Sequence, residues 1–154
     1  MSHKAVIPRS ALVLGWSGVF PFALLAVVIA AAANVTDTID PKPALIFYAA
    51  IILSFMGGVH WGLAISAAPI DGAATSPQAT RLGLSTIPAL VGWLATLVPF
   101  GMAVALLIGA FIALFAYDNW AATQGWTPAW YPRLRLQLTA AVVAALALAW
   151  STGS

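Results

Sequence analysis

The chain lacks cysteine and glutamate altogether, and only 6% of its 154 residues are charged. Without cysteine, no disulfide, thiolate metal site or redox thiol can form within the chain. Soluble domains carry about 25% charged residues, so this charge content excludes an ordinary water-soluble globule. Six basic residues are too few for a nucleic-acid-binding patch, and we expect no nucleic acid among the partners.

Hydrophobic residues make up 62% of the chain, and its mean hydropathy is +0.99. They form continuous runs, whereas strands of a membrane barrel alternate apolar and polar residues over about 10 positions. Runs of roughly 17 to 24 residues are long enough to cross a bilayer as helices. The sequence therefore predicts one all-α transmembrane domain over 1–154, embedded in the lipid bilayer. Its five helices are expected at about 10–33, 44–66, 82–98, 102–117 and 136–151.

The basic residues predict the orientation of these helices, because lysine and arginine resist translocation. A cytoplasmic N-terminus leaves Lys42 outside and collects the other five inside, namely Lys4, Arg9, Arg81, Arg133 and Arg135. We therefore expect five crossings with the N-terminus in and the C-terminus out. A cleaved signal peptide is the alternative for the first span, although its apolar stretch exceeds the roughly 7–15 residues of such a signal.

Small residues occupy every fourth position of the second span, at Ala50, Ser54, Gly58, Gly62 and Ser66. Close backbone approach over small residues supplies packing energy between helices in lipid. We expect Ser54, Gly58 and Gly62, with the adjacent Gly57, to pack against a neighbouring helix. The same chain is the favoured source of that helix, and a second copy in a homodimer is the alternative.

His60 points away from this stripe, with Leu53, Met56, Gly57 and Ala64 on its side. A charged group inside a bilayer costs about 2.5 kcal/mol or more, so such a residue usually faces protein or a water-filled cavity. One interpretation is a cytoplasm-facing pocket for a ligand or proton. Its candidate residues are His60, Arg81, Asp118, Arg133 and Arg135. The favoured interpretation is a neutral, structural histidine bonded to a neighbouring carbonyl or to a hydroxyl such as that of Ser85 or Thr86.

Asp118 is predicted to lie at the cytoplasmic end of the fourth span, where its charge opposes the helix dipole. Arg133 or Arg135 is its expected partner in an ion pair that joins spans four and five; a substrate-binding carboxylate is the alternative. The arginines could also hold lipid headgroups. The aromatic residues between these spans are expected to anchor the chain in the headgroup layer. They are Trp120, Trp126, Trp130 and Tyr131.

Catalytic and cofactor motifs are missing from the sequence. It contains no GxSxG, HExxH or P-loop and no paired carboxylates at helical spacing. A membrane haem usually needs two axial histidines, and the second histidine, His3, lies in the basic N-terminal tail. A zinc site is not expected, because the sequence offers too few ligands for one. We expect no enzyme activity, no metal and no cofactor.

Three segments carry a resemblance to a known family: "ALIFYAAIILSFMGGVHWGLA", "YDNW" and "PAWYPRLRLQLT". They resemble the bacterial family called domain of unknown function 3429, whose eukaryotic relatives look like transmembrane protein 69. The resemblance implies a multi-pass protein of the bacterial inner membrane with mitochondrial relatives, and it supplies no activity. The matching positions are Gly57, Gly58, His60, Trp61, Gly62, Asp118, Tyr131, Arg133 and Arg135.

These observations predict a non-enzymatic accessory or assembly partner of a larger membrane complex. The short loops, the small-residue stripe and the missing catalytic residues favour that function. The alternative is a small transporter or a binding protein for an ion, proton or quinone, built around His60.

Overall fold

The computed structural model describes residues 6–31, 40–67 and 76–153. The all-α prediction is confirmed, because these residues form five helices. They are α1 (Arg9–Ala30), α2 (Pro41–Ser66), α3 (Ser76–Ala95), α4 (Phe100–Thr123) and α5 (Tyr131–Gly153). Each helix packs on the next, α5 packs on α1, and α2 also contacts α4. The helices therefore close into a ring, with α2 and α4 also in contact across it.

The helix starts lie earlier than the sequence predicted, by one residue in α1 and by two to six in the others. At α2 the reason is a local cap, since Oδ1 of Asp40 accepts a hydrogen bond from the Lys42 amide at 3.0 Å. Pro41 adds a preset φ at the first helical position. The predicted end of the first span, residue 33, lies outside the described residues.

The end of α4 changes the setting of Asp118. The sequence predicted that this span would end at Tyr117, but α4 continues to Thr123. Gly125, with φ of 73°, ends the helix, and the amides of Gly125 and Trp126 donate to the carbonyls of Ala122 and Ala121. This is a Schellman cap, which needs a left-handed residue. Asp118 therefore lies inside a helix, where a side-chain partner must satisfy it.

Hydrogen bonds at both ends of the bundle show that the helices alternate in direction. At one end, Nζ of Lys42, near the start of α2, donates to the carbonyl of Gly153, the last residue of α5, at 2.5 Å. At the other end, Nε2 of Gln78, near the start of α3, donates to the carbonyl of Ala64, near the end of α2, at 3.1 Å. Neighbouring helices in the chain therefore run antiparallel.

Aromatic packing fills the core between α1, α2 and α4. The Phe22 ring is fully buried and meets Tyr48 and Phe111 edge-on, at centroid distances of 5.0 and 6.0 Å. The Tyr48 hydroxyl donates to the Gly18 carbonyl at 2.9 Å, so its polar end is satisfied inside the bundle. This core lies beside the half of the bundle that holds His60.

The outer surface of the bundle is apolar. Large hydrophobic side chains such as Val13, Phe20, Phe55 and Leu97 are each more than 60% exposed. Soluble monomers rarely expose apolar patches of this extent. Among the described helices, α1, α2, α4 and α5 are long and apolar enough to cross a membrane. The polar residues in the first half of α3 lower its hydropathy, so α3 is not apolar enough to count among these candidate spans.

The contact between α2 and α3 corrects the predicted packing face. A Cβ placed on Gly57 would lie 2.6 Å from the Ser85 carbonyl oxygen, so α3 approaches the backbone of α2 there. Gly58 and Gly62, in contrast, have no described atom within 4 Å of a Cβ position, and Ser54 is exposed. Gly57 therefore packs against a neighbouring helix as predicted, whereas Ser54, Gly58 and Gly62 do not pack against any of the described residues. The His60 side of α2 is the buried side, and small size alone does not distinguish the two faces.

Candidate functional site: a buried histidine, aspartate and arginine

Three side chains from three helices meet near one end of the bundle. Nε2 of His60 on α2 lies 2.7 Å from Oδ1 of Asp118 on α4, and Nε of Arg135 on α5 lies 2.5 Å from Oδ2 of the same carboxylate. Their exposed fractions are only 4%, 1% and 4%. We call these residues the buried cluster. It joins α2, α4 and α5 through both oxygens of a single carboxylate.

The hydrogen bonds define the charge arrangement of the buried cluster. An ionised carboxylate only accepts, so Nε2 of His60 carries the hydrogen and donates it to Asp118. The guanidinium of Arg135 balances the carboxylate, and a neutral imidazole leaves the cluster with no net charge. Such neutrality matters because an unpaired charge in a low-dielectric interior is strongly unfavourable. The cluster therefore pairs its charges without help from solvent.

The helix positions explain how these residues meet. His60 lies six residues before the end of α2, Asp118 five before the end of α4, and Arg135 four after the start of α5. At about 1.5 Å per residue, each residue lies within roughly 9 Å of the same end of the bundle. The antiparallel order of the helices brings the three side chains to one level.

The predicted ion pair between Asp118 and an arginine is confirmed, and Arg135 is the partner. Nε2 of His60 is bonded to Asp118 and not to the predicted Ser85 or Thr86. The Ser85 hydroxyl donates to the Leu82 carbonyl at 2.7 Å, and the Thr86 hydroxyl donates to the Gly83 carbonyl at 2.8 Å. Both hydroxyls are satisfied within their own helix, as is common for serine and threonine in helices.

A row of aromatic rings leads away from His60. The Tyr117 ring meets the imidazole edge-on at 4.6 Å, and Trp120 follows at 5.5 Å from Tyr117. Trp126 lies 4.9 Å from Trp120, and the Arg81 guanidinium lies 3.7 Å from the Trp126 ring centre. Arg81 is therefore held by a cation–π contact rather than by the carboxylate. The row joins α2, α3 and α4 beside the cluster.

The other predicted residues lie near the same end but do not enter the cluster. Arg133 is exposed at the start of α5, two residues before the buried Arg135 and on the opposite side of the helix. Trp130 and Tyr131 are half-buried and contact each other at 6.1 Å. Of the five candidate site residues, the structure brings together His60, Asp118 and Arg135. The anchoring role of the aromatic residues and the ligand-binding role of the candidate site residues stay predictions.

A cavity of about 150 Å³ adjoins the cluster, and no local sequence pattern indicated it. Arg135 and Thr139 form part of its wall, and most of the rest is apolar. Nη1 of Arg135 donates to Sδ of Met56 at 2.8 Å. Nη2 of Arg135 and Oγ1 of Thr139 are buried and have no hydrogen-bond partner among the described residues. Two donors are therefore left without acceptors at this wall.

The metal-binding residue types of the buried cluster contact each other. His60 and Asp118 are the residue types that bind metals, and each is already bonded to the other. Across residues 6–31, 40–67 and 76–153, three or more histidine, cysteine or acidic side chains do not come together. The carboxylate already has two cationic or donating partners, which is an arrangement for holding helices together.

Comparison with known proteins places the chain in a family. The family model described as Protein of unknown function (DUF3429) matches residues 7–151. The chain belongs to the DUF3429 family. The matched range includes all five helices except the last two residues of α5, and the whole buried cluster.

A curated relative of this DUF3429 protein is Transmembrane protein 69 of Xenopus tropicalis. The two are 38% identical over 144 residues, which cover 90% of the chain and 53% of the relative. The chain thus spans about half the length of the relative. No solved structure matches the DUF3429 protein. With four helices suited to spanning, these matches identify a multi-pass membrane protein of a family without a described function.

Proposed function

We propose that this DUF3429 protein is a non-enzymatic accessory or assembly partner of a larger complex in the bacterial inner membrane. The proposal is carried by the outward face of α2, defined by Ser54, Gly58, Gly62 and Ser66, which we call the small-residue face. It is exposed, and the two glycines have open space where side chains would stand. A helix of another membrane protein could approach the α2 backbone closely there.

The neighbouring face of α2 shows how closely another helix approaches a glycine within this bundle. At Gly57 the backbone of α3 occupies the space that a Cβ would need. At Gly92 of α3 the same happens in reverse, since a Cβ would lie 3.0 Å from the Ala50 carbonyl oxygen. At both of these glycines, the backbone of the neighbouring helix therefore occupies the space that a side chain would need. Gly58 and Gly62 have the same geometry and lack that partner among the described residues.

We further propose that α3 is a fifth crossing. It begins beside the end of α2, where Gln78 bonds Ala64, and it reaches the start of α2, where Ala95 and Ile46 line one cavity. Its 20 residues extend about 30 Å, which is the thickness of the hydrocarbon core. The exposed Leu84, Ile87, Leu90, Trp93 and Leu94 suit contact with lipid. Five crossings agree with the alternating helix directions.

The distribution of basic residues supports a cytoplasmic N-terminus in this arrangement. Arg9, Arg81 and Arg133 lie at the end of the bundle that holds the buried cluster, and Lys42 lies at the opposite end. Arg135 is neutralised by Asp118, so it contributes less to the bias than the sequence count suggested. The remaining excess still favours retention of that end in the cytoplasm.

The alternative function, a transporter or binding pocket around His60, has less support. The imidazole is 4% exposed, bonded to Asp118 and stacked against Tyr117. A proton relay would need a second acceptor with access to water.

Leucine at the small-residue face should disrupt association. With a photo-crosslinking residue at Ser54, irradiation of native membranes is expected to attach one partner protein. Gly58→Leu and Gly62→Leu should each reduce that product about tenfold, equivalent to about 1.4 kcal/mol of packing energy. Gly109→Leu is the matched control, because Gly109 is also exposed with open space on α4.

Mass spectrometry of the crosslinked product distinguishes the outcomes. An adduct with a different membrane protein supports the accessory function. An adduct only with another copy of the chain would replace it with a homodimer. Crosslinking to lipid alone, unchanged by either leucine, would refute the proposed docking face.

A further inference from the structure

The cavity beside the buried cluster has the features of a ligand site, which goes beyond the proposed accessory function. It lies between α1, α2 and α5, with α4 behind it, and encloses about 150 Å³. Its walls are mainly aliphatic side chains and the three rings of Phe22, Phe55 and Phe111. A cavity of this volume is large enough to hold a six-membered ring such as benzene.

The polar wall of the cavity is built from two residues one turn apart on α5. Arg135 and Thr139 are 4% and 5% exposed, so both are more than nine-tenths buried. Nη2 of Arg135 and Oγ1 of Thr139 have no partner among the described residues. Buried donors are nearly always paired, and a ligand oxygen between these two groups would satisfy both. The other nitrogens of Arg135 are already bonded to Asp118 and Met56.

The charge of this wall selects the kind of ligand. Asp118 already balances the guanidinium, so an anionic group in the cavity would add a net negative charge to a buried site. A neutral acceptor, such as a carbonyl oxygen, accepts from Nη2 and the threonine hydroxyl without that penalty. The apolar walls require the rest of the ligand to be apolar as well.

Access to the cavity is from the lipid side. Leu14 on α1 and Phe55 on α2 line it and are 71% and 67% exposed on the outer surface. A molecule dissolved in the bilayer could therefore insert its head between α1 and α2 and leave an apolar tail in the lipid. Gly18 on α1 leaves open space on this side of the cavity, since no described atom lies within 4 Å of its Cβ position.

We propose that this cavity binds the carbonyl head of a neutral, lipid-soluble molecule, with the oxygen accepting from Arg135 and Thr139. Two membrane components carry that chemistry: the ring of a lipid quinone and the ester carbonyl of a bilayer lipid. The ring-sized volume and the three phenylalanines favour the quinone, because aromatic rings pack well edge-to-face or offset-stacked. Arg135 thus has two contacts of different kinds, one with Asp118 and one with the ligand.

Infrared spectroscopy of the purified full chain in nanodiscs tests the proposal. The first arm uses a short-chain ubiquinone analogue labelled with ¹³C at its carbonyls, in ether-linked phosphatidylcholine that has no ester carbonyl. The second arm uses ester-linked phosphatidylcholine with ¹³C-labelled carbonyls and no quinone. Hydrogen bonding to the guanidinium should give a downshifted carbonyl band that saturates at one probe per chain.

Two variants test whether the band comes from this cavity. Thr139→Val removes one of two hydrogen bonds, so the dissociation constant of the probe should rise about five- to tenfold. Gly18→Leu fills the cavity and should abolish the band. The controls are Thr86→Val, whose hydroxyl bonds its own helix, and Gly109→Leu on α4. Retained thermal unfolding transitions would show that all four variants fold.

Each outcome of the two arms has a defined meaning. A shifted band in the quinone arm, lost in Gly18→Leu but kept in Gly109→Leu, supports a quinone site. A shifted band in the ester arm alone assigns the same site to a bilayer lipid. The proposal is overturned by no shifted band in either arm, or by one that Thr139→Val and Gly18→Leu leave unchanged.

Discussion

Replacement of Asp118 by asparagine is expected to lower the free energy of unfolding by about 3–5 kcal/mol. The variant keeps the size of the side chain and one acceptor oxygen, so a hydrogen bond from His60 can persist. It removes the charge that balances Arg135, and that guanidinium is only 4% exposed. Breaking a buried pair by removing one partner leaves an uncompensated charge. The measurement is unfolding in mixed micelles, followed by the fluorescence of the seven tryptophans.

A second asparagine substitution and a double variant separate this effect from general damage. Asp40→Asn is the matched control, because Asp40 is an exposed helix cap and asparagine caps equally well. Asp118→Leu combined with Arg135→Met should lose less stability than Asp118→Asn alone, since no charge is then left buried. Its remaining loss is the missing acceptor for His60, about 1–3 kcal/mol. A double variant as unstable as the sum of its single substitutions would contradict the ion-pair account.

Gly57→Ala is expected to destabilise the bundle by about 1–3 kcal/mol, although it adds only one methyl group. The new Cβ would lie 2.6 Å from the Ser85 carbonyl oxygen and 3.2 Å from Cβ of Pro88. The first contact is with backbone, so α3 must move away from α2 to relieve it. The same unfolding assay measures the effect.

Gly58→Ala is the control for this prediction, one residue along the same helix. Its Cβ has no described atom within 4 Å, so its stability should match that of the unmodified chain within about 0.5 kcal/mol. The difference between the two alanines therefore measures the α2–α3 contact itself. Equal losses at both positions would mean that helix packing around α2 differs from the structure.

Sequence patterns predicted the helical class and the burial of His60 because both depend on residues close together in the chain. His60, Leu53, Gly57 and Ala64 share one face at helical spacing, and that face is buried. The pairing of Asp118 with an arginine was also predictable, because an apolar chain with four acidic residues offers few charge partners. Which arginine forms the pair depends on where the helices end. The predicted boundaries placed Asp118 and Arg135 just outside their helices.

Faces of the helices were harder to predict, because a membrane helix is apolar toward lipid and toward protein alike. The small-residue pattern of Gly58 and Gly62 suited a helix contact, yet Gly57 on the adjacent face makes it within the chain. Ser85 and Thr86 suited hydrogen bonds to His60, but their hydroxyls donate to carbonyls of their own helix. The cavity at Thr139 depends on the relative positions of four helices, so no local pattern could indicate it.

Cysteine labelling in intact spheroplasts tests the central claim, that five helices cross the membrane with the buried cluster near the cytoplasmic end. The chain has no cysteine of its own, so single cysteines at the exposed Ser10, Gln124 and Thr152 give signals without background. With five crossings, a membrane-impermeant maleimide is expected to label Thr152→Cys directly and to label Ser10→Cys and Gln124→Cys only after permeabilisation. Labelling of Ser10→Cys and Gln124→Cys from opposite sides would mean four crossings and would contradict the account.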